Sequence, residues 1–161
     1  MKSGYERRAI FKIREARRGD LAEIVKMSAG VKEIENYPGQ RMRADDFIHF
    51  LGGKDAAMFV AVVPGKARAR VEVVGYVTVY RSENYLYLPY AVTKKGWRRH
   101  GIGGALLSAV ERLAKEEEVE YILMSVYAYN KTVGTFLKAR GYVASRRLIQ
   151  FSKIITAKGR K

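Results

Sequence analysis

Between residues 85 and 126 the sequence passes from a β-rich run into an amphipathic helical run, and then back into a β-rich one. The first junction carries three glycines in four positions, Gly101, Gly103 and Gly104. A strand, a tight turn, a helix and a second strand in this order form a crossover unit, so the two strands pair in parallel. The glycines leave backbone N–H groups bare at the start of the helix, where the peptide dipoles add about half a positive charge. Arg98, Arg99 and His100 stand at the lip of the turn. Together these features make an anion cradle suited to a phosphate or pyrophosphate. A nucleoside-triphosphate loop is excluded because no Gly-Lys-Ser/Thr follows. The dinucleotide fingerprint fails because Leu106 stands where its third glycine belongs. A tight turn that binds nothing would use the same glycines, and the flanking arginines argue for a ligand.

Upstream, Ala9 to Arg14 reads as a short strand, and Gly19-Asp20 opens a helix with Leu21, Ile24, Val25 and Met27 at helical spacing. Asp20 is placed to cap it. Residues 29–41 read as a loop, and a second short helix is expected after Arg43. Met58–Val63 and Val71–Tyr80 flank the turn Pro64-Gly65-Lys66 as a hairpin, and Tyr85 to Val92 is a further strand. A helix is expected within 96–118, a strand over Tyr121–Val126 and a helix over Lys131–Arg140. One or two closing strands are expected over Tyr142–Ile155. The order β-α-α-β-β-β-α-β-α-β is mixed α/β, with an antiparallel N-terminal half and a parallel second half. No repeat or linker interrupts it, so residues 1–161 read as one domain with a short basic tail over about 156–161.

Composition removes several chemistries. There is no cysteine, hence no disulfide, thiolate ligand or cysteine nucleophile. Two histidines, His49 and His100, make a multi-histidine metal centre an unfavourable reading, and no metal site is expected. The longest apolar run, Ala56–Val63, is far short of the ~20 residues of a membrane span. No secretory leader is recognisable, so a cytoplasmic protein is expected. The net charge is +15, and it is unevenly placed. Residues 1–120 carry 22 basic and 16 acidic side chains, while residues 121–161 carry nine basic ones and no carboxylate. Such a field attracts polyanions, whether nucleic acid, acidic protein or a phosphate-bearing cofactor, and it also serves solubility.

The segment Arg98-x-x-Gly101-x-Gly103-Gly104-Ala105 resembles the acyl-CoA pyrophosphate loop of the GNAT acetyltransferase superfamily. Val126-x-x-x-Asn130-x-x-Val133-x-x-Phe136-Leu137-x-x-x-Gly141-Tyr142 resembles its strand–Asn–helix–Gly–aromatic signature. Ile13-Arg14-Glu15-Ala16 with Gly19-Asp20-Leu21 is similar to its opening strand and helix, and Gly75-Tyr76-Val77 to its third strand. The resemblance implies a single acyltransferase domain with strands splayed around a CoA cleft and helices on both faces of the sheet. It also implies acetyl-CoA as donor and an N-acetyltransferase activity on a primary amine, by direct attack in a ternary complex.

The resemblance further implies that Tyr90, Ala91 and Val92 hold the pantetheine arm through backbone groups, one amide polarising the thioester carbonyl. The turn Arg99, His100, Gly101, Ile102, Gly103 and Gly104, with Arg98, would hold the pyrophosphate. Pro89 lies inside this strand and cannot donate to a ladder, which points to a bulge or to an edge strand. Asn130 matches the motif asparagine that contacts the cofactor arm, and it would also cap the following helix. Two departures bear on mechanism. Leu137 stands where many members place a proton-donating tyrosine, with Tyr127 and Tyr129 the nearest substitutes in sequence and water an alternative. The strand Tyr85-Leu86-Tyr87-Leu88-Pro89-Tyr90 carries no carboxylate base, although Glu72 and Glu83 flank the preceding strand. An acceptor with an α-amine, pKa near 8, needs less help than a lysine ε-amine near 10.4.

A small molecule or a protein N-terminus is therefore the expected acceptor. Glu33 and Glu35 in the loop after the first helix would attract a cationic amine, whereas Arg146 and Arg147 would repel one. Two competitors use the same scaffold: a nucleic-acid- or ribosome-binding protein, disfavoured because its basic residues interleave with core positions, and a CoA-binding regulator without turnover. The oligomeric state, homodimer included, is open at this stage.

Overall fold

The computed structural model describes residues 10–67 and 70–155. The expected start of the first strand at Ala9 and the basic tail over 156–161 lie outside the described residues. Six strands form one sheet: β1 (Lys12–Glu15), β2 (Ala56–Pro64), β3 (Val71–Arg81), β4 (Tyr85–Leu88), β5 (Ala91–Thr93) and β6 (Tyr121–Met124). The main path runs β1-β2-β3-β4-β6, and β5 pairs with β3 beyond the end of β4. All pairings are antiparallel except β4 with β6. That parallel pair is the crossover expected around the glycine turn.

Each strand alternates its side chains between two cores. On one face Val60, Val62, Val73 and Tyr76 pack against α1 (Leu21–Ser28) and against Phe47 and Phe50. On the other Ala61, Val63, Val74, Val77 and Leu86 pack against α2 (Ile102–Glu116) and Leu137 of α3 (Lys131–Ala139). Helices thus cover both faces. The pairing of β2 with β3 shifts between Ala61 and Val62, so Val74 is an extra residue and Gly75 sits opposite Ala61. A Cβ at Gly75 would stand 2.7 Å from the Ile102 Cγ2 atom. The missing side chain lets the first turn of α2 seat directly on the sheet, which fixes where the glycine turn points.

On the α1 side, the buried Tyr76 hydroxyl meets Ser28 Oγ at 2.7 Å, and Ser28 in turn donates to the Ile24 carbonyl at 2.7 Å. This bond ties the last turn of α1 to the middle of β3. Asp20 does not cap α1 with its side chain. It accepts instead from the Arg17 N–H at 2.7 Å and takes two bonds from the Arg14 guanidinium, at 2.7 and 2.9 Å.

Two expectations are corrected. The second helix after Arg43 is a pair of 3₁₀ turns, Ala44–Asp46 and Ile48–Phe50. Gly52, at φ +63, follows at once and leaves no room for a longer helix. Residues 143–155 contain no strand. Ile149, Phe151 and Ile155 share one parity, but Lys153 falls in their row while Leu148 and Ile154 stand on the other side, so neither face is uniformly apolar. Val143, Leu148, Ile149 and Phe151 are correspondingly exposed.

Burial pushes the Asp20 carboxyl up, but the bonds from Arg14 and Arg17 outweigh it and hold the group below the usual carboxylate value. The ionised form therefore adds stability above the unfolded-state value near 3.9, and this is lost as pH falls through the folded-state value. Asp20→Asn is expected to cost about 2 kcal/mol at pH 7. In urea titrations the gap to the wild type should narrow below pH ~4.

Candidate active site

The site begins at a break in the sheet. Pro89 has no N–H, and the expected strand over Tyr85–Val92 divides there into β4 and β5. Of the two alternatives left by the sequence, the chain takes the bulge: three residues, Leu88, Pro89 and Tyr90, lie between the pairs Tyr80–Tyr87 and Val77–Ala91, where β3 has only Thr78 and Val79. β4 continues alongside β6, in register from Tyr85 opposite Tyr121 to Leu88 opposite Met124. β5 pairs with β3 alone. Thr78 bridges the break. Its buried hydroxyl accepts from the Tyr90 N–H at 3.1 Å and lies 3.2 Å from the Tyr90 carbonyl, which also accepts from the Thr78 N–H at 2.9 Å.

The parity of β5 follows from these bonds. Tyr90 is bonded to Thr78, and the Lys94 N–H donates to the Val74 carbonyl, so residues 90, 92 and 94 turn their backbone groups toward β3. The N–H and C=O groups of Ala91 and Thr93 turn the other way, into the gap beyond β6. Tyr90 and Val92, expected to offer backbone groups, spend them on β3 and place their side chains in the α1-side core. Ala91 and, beside it, Thr93, which the sequence reading did not single out, leave their backbone groups unused by β3. The signal was strand parity, which can be counted only once a pairing is known.

The glycine turn closes one end of the gap. Gly101 is the N-cap of α2 in the left-handed conformation, at φ +81, and no side chain caps the helix. The amides of Ile102, Gly103 and Gly104 precede the first intrahelical bond, Ala105 N–H to the Gly101 carbonyl at 3.0 Å. Arg99 also has positive φ, at +64, and His100 Nδ1 lies 2.8 Å from the Arg98 carbonyl. The Ile102 side chain is buried beneath Gly75, so that residue contributes through its amide. Gly104 has a second duty, because a Cβ there would meet an Arg140 guanidinium nitrogen at 3.2 Å. A cleft of about 340 Å³ adjoins the turn between α1 and β5, lined in part by Lys26, Thr93, Lys95 and Arg98. Uncapped amides beside a cationic cleft fit a diphosphate.

The other rim is built by the chain after β6 and the loop after α1. Asn130 caps α3, its Oδ1 accepting from the Val133 N–H at 3.3 Å. Its side-chain NH₂ is not part of that cap. Phe136, on the same helix, stands 3.8 Å from the Cβ position of Gly103, so α3 abuts the start of α2. Tyr127 and Tyr129 stack with centroids 5.3 Å apart, and the Tyr129 hydroxyl donates to Glu33 at 3.5 Å. Although Tyr129 is exposed, partial desolvation of its hydroxyl and then the Glu33 charge raise the phenol above its ordinary value. Asn36, from the same loop, donates to the Tyr90 hydroxyl at 2.9 Å. Leu137 is buried among the α2-side residues and carries no functional group into the gap.

Residues 22–142 match the acetyltransferase (GNAT) family. The chain belongs to that family. It is an acyltransferase with acetyl-CoA as its donor, as the turn sequence implied. Among solved structures, the GNAT fold is shared with the aminoglycoside acetyltransferase AAC(6')-Iy bound to a CoA-linked bisubstrate analogue, at TM-score 0.71 and 17% identity over 89% of this chain and 98% of that one. An aminoglycoside acetyltransferase from an uncultured soil metagenomic sample aligns at TM-score 0.70 and 19% identity, over 91% and 97% of the two chains. A protein described as a transcriptional regulator, from Bacillus halodurans C-125, aligns at TM-score 0.72 and 21% identity, over 89% and 99%. No curated protein sequence matches the chain.

Among the described residues there is no group of metal-ligating side chains. No helix there is long and apolar enough to cross a membrane. The GNAT cleft rests on Thr78, whose replacement by valine keeps the β-branched shape and removes the bridge. Thr78→Val should leave the Tyr90 N–H unpaired at a cost of about 2 kcal/mol, lowering Tm by roughly 4–8 °C in a thermal scan.

Proposed function

We propose that this GNAT protein transfers the acetyl group to a primary amine held on the α1-side face of the sheet, by direct attack in a ternary complex. The observation that carries this reading is the break at Pro89. It turns the backbone groups of Ala91 and Thr93 into a gap that leads from the uncapped start of α2 to the stacked tyrosines beyond β6. When bound, acetyl-CoA supplies an acyl group activated as a thioester.

The turn amides of residues 99–104, with Arg98, hold the pyrophosphate oxygens. Ala91 and Thr93 hold the pantetheine amides as an added strand would, and the Ala91 N–H is the amide best placed to polarise the acyl carbonyl. The free NH₂ of Asn130 faces the arm from the start of α3. Tyr129, a phenol protonated at neutral pH like any ordinary tyrosine, is the residue that protonates the departing sulfur. Glu33 orients that hydroxyl and, with Glu35, gives the acceptor entrance a negative charge that favours a cationic amine. The two aminoglycoside enzymes among the structural neighbours support a small polyamine as acceptor, and the lower pKa of an α-amine favours such an acceptor on independent grounds.

The test is thiol release over amino acids, peptide N-termini, polyamines and aminoglycosides. Amine-dependent release from at least one class is expected, and none from any would overturn the reading. Acetyl-CoA at about 100 times its Kd should stabilise the wild type by about 2.7 kcal/mol. A Gly101→Val/Gly103→Val variant that retains its circular-dichroism spectrum should show no such gain. Tyr129→Phe is expected to lower kcat by about tenfold or more while leaving acetyl-CoA affinity, read by calorimetry, unchanged.

A further inference from the structure

The amine must lose a proton as it is acylated, yet β4 and β5 carry no carboxylate and Glu72 is engaged with Lys94. On the α1-side face, the 3₁₀ turn Ile48–Phe50 places His49 over Tyr80. Nε2 lies 2.7 Å from the Tyr80 hydroxyl, and the two rings stack 15° from parallel. Phe50 holds this arrangement, with its ring 4.1 Å from His49, 4.7 Å from Tyr80 and 6.1 Å from Tyr90. Tyr80 is two residues beyond Thr78 on β3, hence on the same face, and sits directly opposite Tyr87 of β4. Its phenol shares the Phe50 ring with Tyr90 at the bulge, and the Tyr90 and Tyr87 phenols both interact with it.

We propose that Tyr80 and His49 form the route by which the acceptor amine's proton leaves the site. This rests on the amine-acylation reading above. As the C–N bond forms and the thioester C–S bond breaks, the amine N–H proton passes to Tyr80 Oη and the Tyr80 proton passes to His49 Nε2. The exposed imidazolium then releases it to solvent, and the departing sulfur takes its own proton from Tyr129. A hydroxyl can donate and accept at once, which the relay requires. Histidine is the side chain whose ordinary pKa, near 6.5, suits a neutral-pH proton acceptor. Burial, and then the neighbouring phenols of Tyr90 and Tyr87, raise the Tyr80 hydroxyl, so it passes a proton without remaining ionised.

The nearest ionisable groups on the neighbouring elements are engaged elsewhere or face solvent. Arg81, next on β3, donates to Glu117 and to the Gly53 and Ala56 carbonyls. Asp46, in the preceding turn, accepts from the Arg43 N–H. Asp45, Lys54 and Asp55 flank the turn on the exposed side. The other histidine, His100, is at the phosphate turn beside the Arg98 carbonyl.

The test combines kinetics with a measurement on the free protein. In the wild type, kcat/KM for an amine found by the thiol-release panel should show a pH-dependent bend separate from the amine's own titration. His49→Gln keeps a hydrogen bond to Tyr80 but takes no proton. It should lose the bend and about 10- to 100-fold in kcat/KM at pH 7. Tyr80→Phe should do the same, and the double variant should lose little more, as expected for residues acting as one unit. Nitrogen-15 spectra of the free protein should show His49 as the Nδ1–H tautomer with a hydrogen-bonded Nε2, and Tyr80→Phe should remove that signature. A His49→Gln enzyme that keeps the bend and stays within about twofold of the wild-type rate would overturn the relay while leaving amine acylation standing. So would a His49 spectrum unaltered in Tyr80→Phe. Absence of amine-dependent release in the wild type would remove both readings together.

Discussion

The structure turns on one missing hydrogen-bond donor. Pro89 interrupts what would otherwise be a continuous strand from Tyr85 to Thr93. Were an N–H present there, β5 could stay in line with β4 and its outward edge could zip onto the chain after β6. A sealed sheet has no room for a ligand between its strands. The proline prevents closure, and Thr78 keeps the interruption from spreading, since its hydroxyl and N–H together bond both polar backbone groups of Tyr90. The break is therefore a fixed opening in a rigid sheet. Its walls are set by β3 on one side and by the parallel β4–β6 pair on the other.

An opening of this kind is useful only if charged and reacting groups are brought to its two ends. The two-sided core does this. On one face the bulge at Val74 and the bare Cα of Gly75 let α2 lie close against β3, so its uncapped first turn meets the end of β5. On the opposite face Tyr76 and Ser28 hold α1, and the loop after α1 reaches Tyr90 through Asn36 and Tyr129 through Glu33. The uncapped start of α2 and the loop after α1 are thus both brought to the edges of the same gap.

The chemistry of the donor side was legible because it depends on backbone, and glycine spacing reports backbone directly. Gly101, Gly103, Gly104 and Arg98 could be placed from their order alone, and so could Asn130. Residues that act across the sheet were less accessible. Ala91 and Thr93 differ from Tyr90 and Val92 only in parity, and parity depends on which strand pairs with β5. Thr78 looks like any β-branched residue in a β-rich run. His49 gains meaning only when a 3₁₀ turn sets it over Tyr80, thirty-one residues away in the chain. The closing strands over 142–155 failed for a different reason. Apolar content was present and Ile149, Phe151 and Ile155 alternate, but Lys153 breaks their row and Leu148 and Ile154 fall on the other face, so no face is uniformly apolar.

The positive charge divides along the same lines. Arg14, Arg81, Lys94 and Arg140 each pair with a carboxylate, at Asp20, Glu117, Glu72 and Glu111 respectively. These pairs tie β1 to the start of α1, the end of β3 to α2, β5 to β3, and α3 to α2. Their charges are locally balanced and add little to the far field. Arg98 and Arg99 face solvent at the phosphate turn and are not in such pairs, so the attraction for a polyanion is concentrated where the amides of α2 are free. Placement therefore matters more than the total of +15. Four cations stabilise the frame of the cleft, and the exposed ones at its mouth raise the local concentration of the phosphate-bearing donor before any specific contact forms.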